Sequence, residues 1–122
     1  MFSYFSIVEK HEAAHMAAKD LVENICSKFP QYEISFKNKK LCLITAGLAE
    51  KGIEIHHLSH EKGVILGEIF GKSKDSCNIN VSRNINENKT HRIILTKGKI
   101  LPSEYWGMYV SFLLNSDGSV TV

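Results

Sequence analysis

The chain has 122 residues, of which 43% are hydrophobic and 23% are charged. This size and composition are those of one globular domain, and they exclude a disordered tail, a fibrous repeat and a protein of several domains. Fifteen basic and thirteen acidic side chains give a formal net charge of +2, an excess too small to predict binding to nucleic acid or to a membrane surface.

The cysteine pattern and the hydropathy bear on the cellular compartment. Cys26, Cys42 and Cys77 lie far apart and form no C-x-x-C pair, so neither a zinc ribbon nor a disulfide framework is expected. Widely spaced thiols are typical of a reducing compartment. The N-terminus lacks the pattern of a secretory signal, and no apolar run approaches the roughly 18 residues of a membrane span. We therefore expect a cytoplasmic protein that crosses no membrane.

The first half of the chain predicts a strand, a long helix and a hairpin. Residues 2–8 are aromatic and β-branched, as in a strand. Residues 9–29 have apolar positions at helical spacing, and Pro30 ends that helix. The predicted apolar stripe of the helix consists of Ala14, Ala18, Leu21, Val22, Ile25 and Phe29. Alternation over 32–37 and an apolar run over 41–44 predict two strands joined by a tight turn.

The second half predicts further strands separated by polar segments. Residues 53–58 alternate weakly, and residues 63–70 are the strongest strand prediction in this half. Residues 71–90 are rich in Asn, Ser and Lys and predict a long polar loop. The apolar run 93–95 fits a helix or a strand equally well. Residues 105–114 predict a long buried strand.

The end of the chain predicts a hairpin, because residues 115–118 have Asp-Gly turn chemistry before a returning strand over 119–122. The large aromatic residues of the preceding strand are expected in the core rather than on a base-stacking platform, since no basic stripe accompanies them. These residues are Tyr105, Trp106, Tyr109 and Phe112. Strands outnumber helices and no boundary is visible, so we predict one α+β domain over 1–122 with mostly antiparallel sheets.

One motif has the form of a metal site. His11, Glu12 and His15 form H-E-x-x-H on the predicted helix, where two histidines can share a zinc ion and the glutamate can activate its water. A catalytic zinc needs a third protein ligand. The extended form of the motif fails, because Ala18 and Leu21 occupy its glycine and third histidine positions. Ordinary histidines at the edge of an amphipathic helix are therefore the preferred interpretation.

A second histidine cluster comprises His56, His57 and His60. Neighbouring residues on a strand point to opposite faces, so His56 and His57 are not expected to chelate one ion together. A polar loop that leads into the strand at Gly63 is the preferred interpretation.

Two segments resemble a known family. Residues 63–70, G-V-I-L-G-E-I-F, resemble the strand with the N-G-E-I-Y signature of asparagine synthetase N-terminal domains. Residues 105–112, followed by 117–120, resemble the G-x-F-A-F hairpin of those domains. Their W-G-x-Y-V-x-F pattern is most similar to the asparagine synthetase-like enzymes that close lasso peptides, the macrolactam synthetases. The order of the other predicted elements also matches, so the resemblance covers most of the chain.

The resemblance implies a class II glutamine amidotransferase-like domain. Its fold would be an α/β/β/α sandwich of the N-terminal-nucleophile hydrolase kind, incomplete in this chain. Active members use a cysteine directly after the initiator Met, and its thiol attacks the side-chain amide of glutamine. Phe2 occupies that position here, and Ser3 and Ser6 are out of place for the same chemistry. No catalytic nucleophile is therefore expected.

The predicted glutamine pocket departs from the family as well. The family's Asn-Gly pair helps to hold the developing oxyanion, whereas the matching positions here are Leu66 and Gly67. Glu68 matches the glutamate of the glutamine pocket and is expected to be vestigial. The resemblance thus implies no glutaminase activity and requires no cofactor.

The resemblance also implies partners. In the family this hairpin leads to an ATP-pyrophosphatase domain, whose phosphate loop is not among these 122 residues. We therefore expect a silent scaffold or docking domain of an ATP-dependent amide ligase, with the ligase domain in cis or in trans. A peptide precursor or its protease is a further expected partner, and the strand ending at Val122 offers an edge for self-association. Two alternatives stay open: a small zinc hydrolase built on His11, Glu12 and His15, and a non-enzymatic interaction module.

Overall fold

The computed structural model describes residues 2–9, 15–48, 53–71 and 79–122. By their internal contacts the residues fall into two compact units, Met1–Lys51 and Gly52–Val122. Each unit contains a sheet of its own.

The first unit contains a three-stranded antiparallel sheet. Its strands are β1 (Ser3–Val8), β2 (Glu33–Lys37) and β3 (Leu41–Ala46), with β3 in the middle. Every residue of β3 is buried, as its nearly unbroken apolar sequence predicts. The turn between β2 and β3 is closed by Asn38, whose side-chain oxygen accepts two backbone N–H groups at 2.8 and 2.9 Å. The hairpin predicted for this part of the chain is confirmed.

Helix α1 (His15–Lys28) belongs to the same unit and confirms the helix prediction over these residues. Its predicted apolar stripe is only partly covered. Val22 is buried and Ile25 packs beside it with apolar side chains of β3, whereas Leu21 and Phe29 are each 48% exposed. One residue along a helix is a rotation of about 100°, so Leu21 points away from the cluster that contains Val22. The buried stripe is therefore narrower than the sequence predicts.

The second unit contains a larger antiparallel sheet. Its strands lie in the order β4 (Glu54–His57), β5 (Gly63–Gly71), β7 (Tyr105–Leu114) and β8 (Val120–Thr121), and β6 (Ile79–Asn80) also pairs with β5. All of these ladders are antiparallel. The two strands predicted most strongly, β5 and β7, are the neighbours at the centre of the sheet.

Glycines allow β5 and β7 to approach closely. Gly67 has φ +138°, and a Cβ there would lie 2.2 Å from the backbone oxygen of Met108. Gly107 on the other strand has φ +130°, and its Cβ would lie 2.0 Å from the backbone oxygen of Glu68. Side chains rarely adopt this backbone conformation and would overlap the partner strand, so the ladder requires glycine at both positions.

Two α-helices lie in the described part of the second unit. They are α2 (Glu87–Leu95), which Asn86 caps through a 2.9 Å bond from the Lys89 N–H, and the short α3 (Leu101–Glu104). The helices pack on the sheet around one buried apolar cluster. That cluster consists of Leu58, Ile65, Ile69, Ile85, Ile93, Leu101, Tyr105 and Leu113.

This arrangement corrects the prediction of a polar loop over residues 71–90. The loop prediction is wrong where β6 and the start of α2 lie, and the ambiguous run 93–95 is helical. The first turn of α2 is polar, and only Thr90 and Ile93 of this helix are buried. Its periodicity is too short to be detected in the sequence.

The aromatic residues of β7 divide between core and surface. Tyr105 and Phe112 are buried, at 6% and 0% exposure, as expected. Trp106 is 44% exposed, and the centroid of its ring lies 4.7 Å from the ring centroid of Phe70 on the neighbouring strand. The core prediction is therefore wrong for Trp106, whose partly exposed ring packs against the ring of Phe70 instead.

The α+β class with mostly antiparallel sheets is confirmed, since every ladder between the strands described is antiparallel. Within the described ranges, none of the helices combines the length and the apolar character that crossing a membrane requires.

Candidate functional site

The three residues of the predicted vestigial pocket lie in succession on β5. Leu66 is opposite Val110 and is 1% exposed. Gly67 is buried against β7, and Glu68 is exposed. A buried leucine side chain has no group that could donate a hydrogen bond to an oxyanion.

Phe2 lies at the start of the first unit and is half-buried. The centroid of its ring is 6.3 Å from that of Tyr4. A phenyl ring has neither a nucleophilic atom nor a titratable proton, so this position cannot attack an amide.

The predicted metal motif is only partly within the described residues, because His11 and Glu12 lie outside them. His15 is at the start of α1, with a half-exposed side chain, and its Nδ1 lies 3.1 Å from both carboxylate oxygens of Glu9. This contact occupies one of its two ring nitrogens. Among the described residues, no group of three or more His, Cys, Asp or Glu side chains could hold a metal ion.

The three residues of the second histidine cluster lie in two different elements. His56 and His57 lie in β4, and His60 lies in a 3₁₀ turn at Ser59–Glu61. His56 is 2% exposed, and its Nδ1 lies 2.9 Å from the carbonyl oxygen of Ser82. A carbonyl oxygen can only accept, so the Nδ1–H donates and this histidine is a satisfied core residue. The polar-loop interpretation is therefore wrong for His56 and His57.

A cavity of about 560 Å³ lies where β5 ends and β7 begins. Its lining includes Gly71, Asn84, Lys89, Arg92 and Tyr105. None of the three vestigial-pocket residues lines this cavity.

Charged groups on two helices meet at the same cavity. Arg92 of α2 and Glu104 of α3 form an ion pair of 2.5 Å. Burial raises the pKa of the neighbouring Tyr105 hydroxyl, and the carboxylate of Glu104 raises it further. A phenol with a raised pKa is neutral at physiological pH, so it can donate a hydrogen bond but cannot serve as a base.

A second cavity, of about 390 Å³, lies on the other side of α2. Its lining includes His60, Lys62, His91, Leu95, Lys97 and Asp117. Neither cavity has a signal in the sequence, because each draws its walls from segments that are far apart along the chain.

The buried thiol of the first unit is not set up for chemistry. Cys42 is 7% exposed, and burial raises the pKa of its thiol above the ordinary value of 9.0. The thiolate is the reactive form of cysteine, so a raised pKa makes this residue inert at neutral pH.

Comparison with protein-family models, with curated proteins and with solved structures gives no significant match to this chain. The resemblance to asparagine synthetase N-terminal domains therefore rests on the segments that correspond to β5 and β7.

Proposed function

We propose that this chain is a catalytically silent, glutaminase-like domain of an asparagine synthetase-family amide ligase. The observation that carries the proposal is the pairing of β5 with β7. The two segments resemble the family independently of each other, and nine consecutive residues of β5 pair with β7 in one antiparallel ladder. A signature strand and a hairpin strand of one fold would be neighbours in this way, so the pairing supports a common origin.

Two positions support the absence of glutaminase activity. Phe2 offers no nucleophile where active members have a thiol. Leu66 is a buried apolar side chain where active members have an amide donor for the oxyanion. Losing an oxyanion-hole donor alone typically costs a factor of about 100 to 1,000 in rate, and losing the nucleophile removes the covalent step altogether.

The proposed role is that of a scaffold or docking domain in an α/β/β/α sandwich fold. It would position an ATP-dependent ligase domain, in cis or in trans, for amide formation of the lasso-peptide macrolactam type. The peptide precursor or its protease would be the substrate or partner that it helps to present. The thiol pattern favours a cytoplasmic location for this work.

Titration with L-glutamine tests this proposal, because a vestigial pocket should have lost its ligand. We expect no change in the amide resonances of Leu66, Gly67 and Glu68 in a ¹⁵N-labelled protein at glutamine concentrations above about 1 mM. Glutamate and asparagine serve as matched control ligands. Saturable shifts of these three resonances with glutamine alone would show a working pocket and contradict the proposal.

The zinc-hydrolase alternative stays a prediction. His15 is engaged by Glu9 at 3.1 Å, and no observation within the described residues favours a metal at this position.

A further inference from the structure

The cavity of about 390 Å³ beside α2 has walls that hydrogen bonds hold together. The Ser59 N–H donates to Thr90 Oγ1 at 2.9 Å, which joins the 3₁₀ turn to α2. The Leu114 N–H donates to the Lys62 carbonyl at 2.8 Å, which joins the same turn to β7. A cavity whose walls are fixed before binding loses little entropy when a ligand enters, and its volume is in the range of small-molecule sites.

One wall of this cavity is apolar. Ile94 and Leu95, at the end of α2, both line it. Leu95 is 74% exposed, and Ile94 is half-buried. A ligand with an apolar body would remove this exposed leucine side chain from water, which is favourable in proportion to the area covered.

The cavity is lined by two lysines and two carboxylates, whose formal charges balance, so its preference depends on which lysine is left unpaired. Its two acidic side chains are already engaged: Glu87 Oε1 lies 3.4 Å from His60 Nε2, and Asp117 accepts from the N–H of Ser119 at 2.9 Å. The Ser119 hydroxyl also donates to Asp117, and these bonds lower the pKa of that carboxyl. Lys62 lines the cavity with no ion pair to any residue that the structure describes.

Two further basic groups lie on the rim, and the charge of one of them, Lys97, already acts on the Asp117 carboxylate. Lys97 follows the end of α2 with φ +52°, and its N–H bonds to the Ile94 carbonyl at 3.0 Å. His91 lies one helical turn before Leu95 and therefore on the same side of α2. A carboxylate seated above Leu95 would thus be attracted mainly by Lys62, the lysine that no described carboxylate engages.

We propose that this cavity is a binding site for a ligand that joins a small apolar body to a carboxylate. The apolar body would cover Leu95, and the carboxylate would lie towards Lys62. The same chemistry occurs in a small organic acid and in the C-terminal residue of a peptide. This site is independent of the proposed function, since it shares no residue with the vestigial pocket.

The test uses three probes that share one apolar body and differ in charge: indole-3-acetate, indole-3-acetamide and tryptamine. Each is titrated into the whole ¹⁵N-labelled chain at pH 7 and low salt. We expect indole-3-acetate to bind with a Kd of about 1 mM or tighter and to shift the amide resonances of His60, Lys62, Leu95 and Asp117. The neutral amide should bind about fivefold more weakly, which is the contribution of one favourable exposed ion pair, and tryptamine more weakly still.

Matched variants locate the site. Lys62→Gln should weaken indole-3-acetate about fivefold and leave the amide probe unchanged, whereas Lys99→Gln, an exposed lysine outside the cavity, should have no effect. Leu95→Gln should weaken both probes, whereas Leu21→Gln on the exposed side of α1 should weaken neither.

A tripeptide ending in tryptophan, with its carboxylate intact or amidated, distinguishes the two ligand sources. Tighter binding of the intact peptide than of indole-3-acetate identifies a chain terminus, and weaker binding identifies a small acid. Equal binding of all three indole probes, no binding of any, or shifts confined to other residues would overturn the proposal.

Discussion

Single glycines decide whether β5 and β7 can pair, so substitutions at these positions are expected to destabilise the second unit strongly. Gly67→Ala places a methyl group 2.2 Å from the Met108 carbonyl oxygen, and the obstructing atom is backbone that cannot rotate away. We expect this variant to lose about 3 kcal/mol or more of unfolding free energy, measured by urea denaturation.

Gly118→Ala is the matched control for that substitution. Gly118 also has a positive φ, +86°, but a Cβ at this position would have no atom within 4 Å. Only the backbone cost of about 1–2 kcal/mol should apply there. Equal losses in the two variants would show that the contact between β5 and β7 is not the cause.

The buried thiol of Cys42 is expected to make the free energy of unfolding depend on pH in the alkaline range. Burial raises the pKa of its thiol above 9.0 in the folded protein, so the unfolded chain loses this proton at a lower pH than the folded chain. The contribution to stability is therefore complete below pH 9.0 and is lost as the pH rises through the folded-state pKa. The urea midpoint should fall less between neutral and alkaline pH in Cys42→Ala, which lacks this thiol, than in Cys26→Ala, which keeps it. The same loss in both variants would contradict this assignment.

At the scale of secondary structure, α2 depends on its cap. The side-chain oxygen of Asn86 accepts the Lys89 N–H at 2.9 Å, which satisfies one of the unpaired donors of the first turn. Asn86→Ala should cost about 1 kcal/mol of unfolding free energy, and Asn88→Ala, an exposed asparagine within the helix, should cost less than half as much. Thermal or urea denaturation of the two variants provides the comparison, and the reverse order would show that the cap does not stabilise α2.

The elements that the sequence predicts well are those with long apolar runs. The hydrophobic patterns of β3, β5 and β7 extend over many positions, and β3 and β5 bury most of their residues. For β7 the strand is confirmed but the prediction of a buried strand is wrong over most of its length, because only Tyr105, Phe112 and Leu113 are buried. In contrast, α2 buries only Thr90 and Ile93, too few to reveal a helical period. Strand β4 is predicted only as a weak alternation, because buried His56 looks polar in the sequence and is satisfied by a backbone carbonyl distant in the chain.

At the scale of the whole molecule, the features related to function differ in how far the sequence can predict them. The proposed loss of function at Phe2 and Leu66 is a prediction from the residue types alone, because a phenyl ring or an aliphatic side chain visibly lacks a nucleophile or an amide donor. The two cavities beside α2 cannot be found in that way. The larger combines residues from the end of β5, α2 and α3, and the smaller combines the 3₁₀ turn, α2 and the β7–β8 turn, so only the fold brings these walls together.

The measurement that tests the central claim most directly is ammonia release from L-glutamine by the purified chain. With Phe2 in the place of a nucleophile and Leu66 in the place of an amide donor, release should equal that of buffer alone. An active asparagine synthetase under the same conditions provides the positive control. Ammonia formation that remains proportional to the concentration of this chain through successive purification steps would contradict the claim.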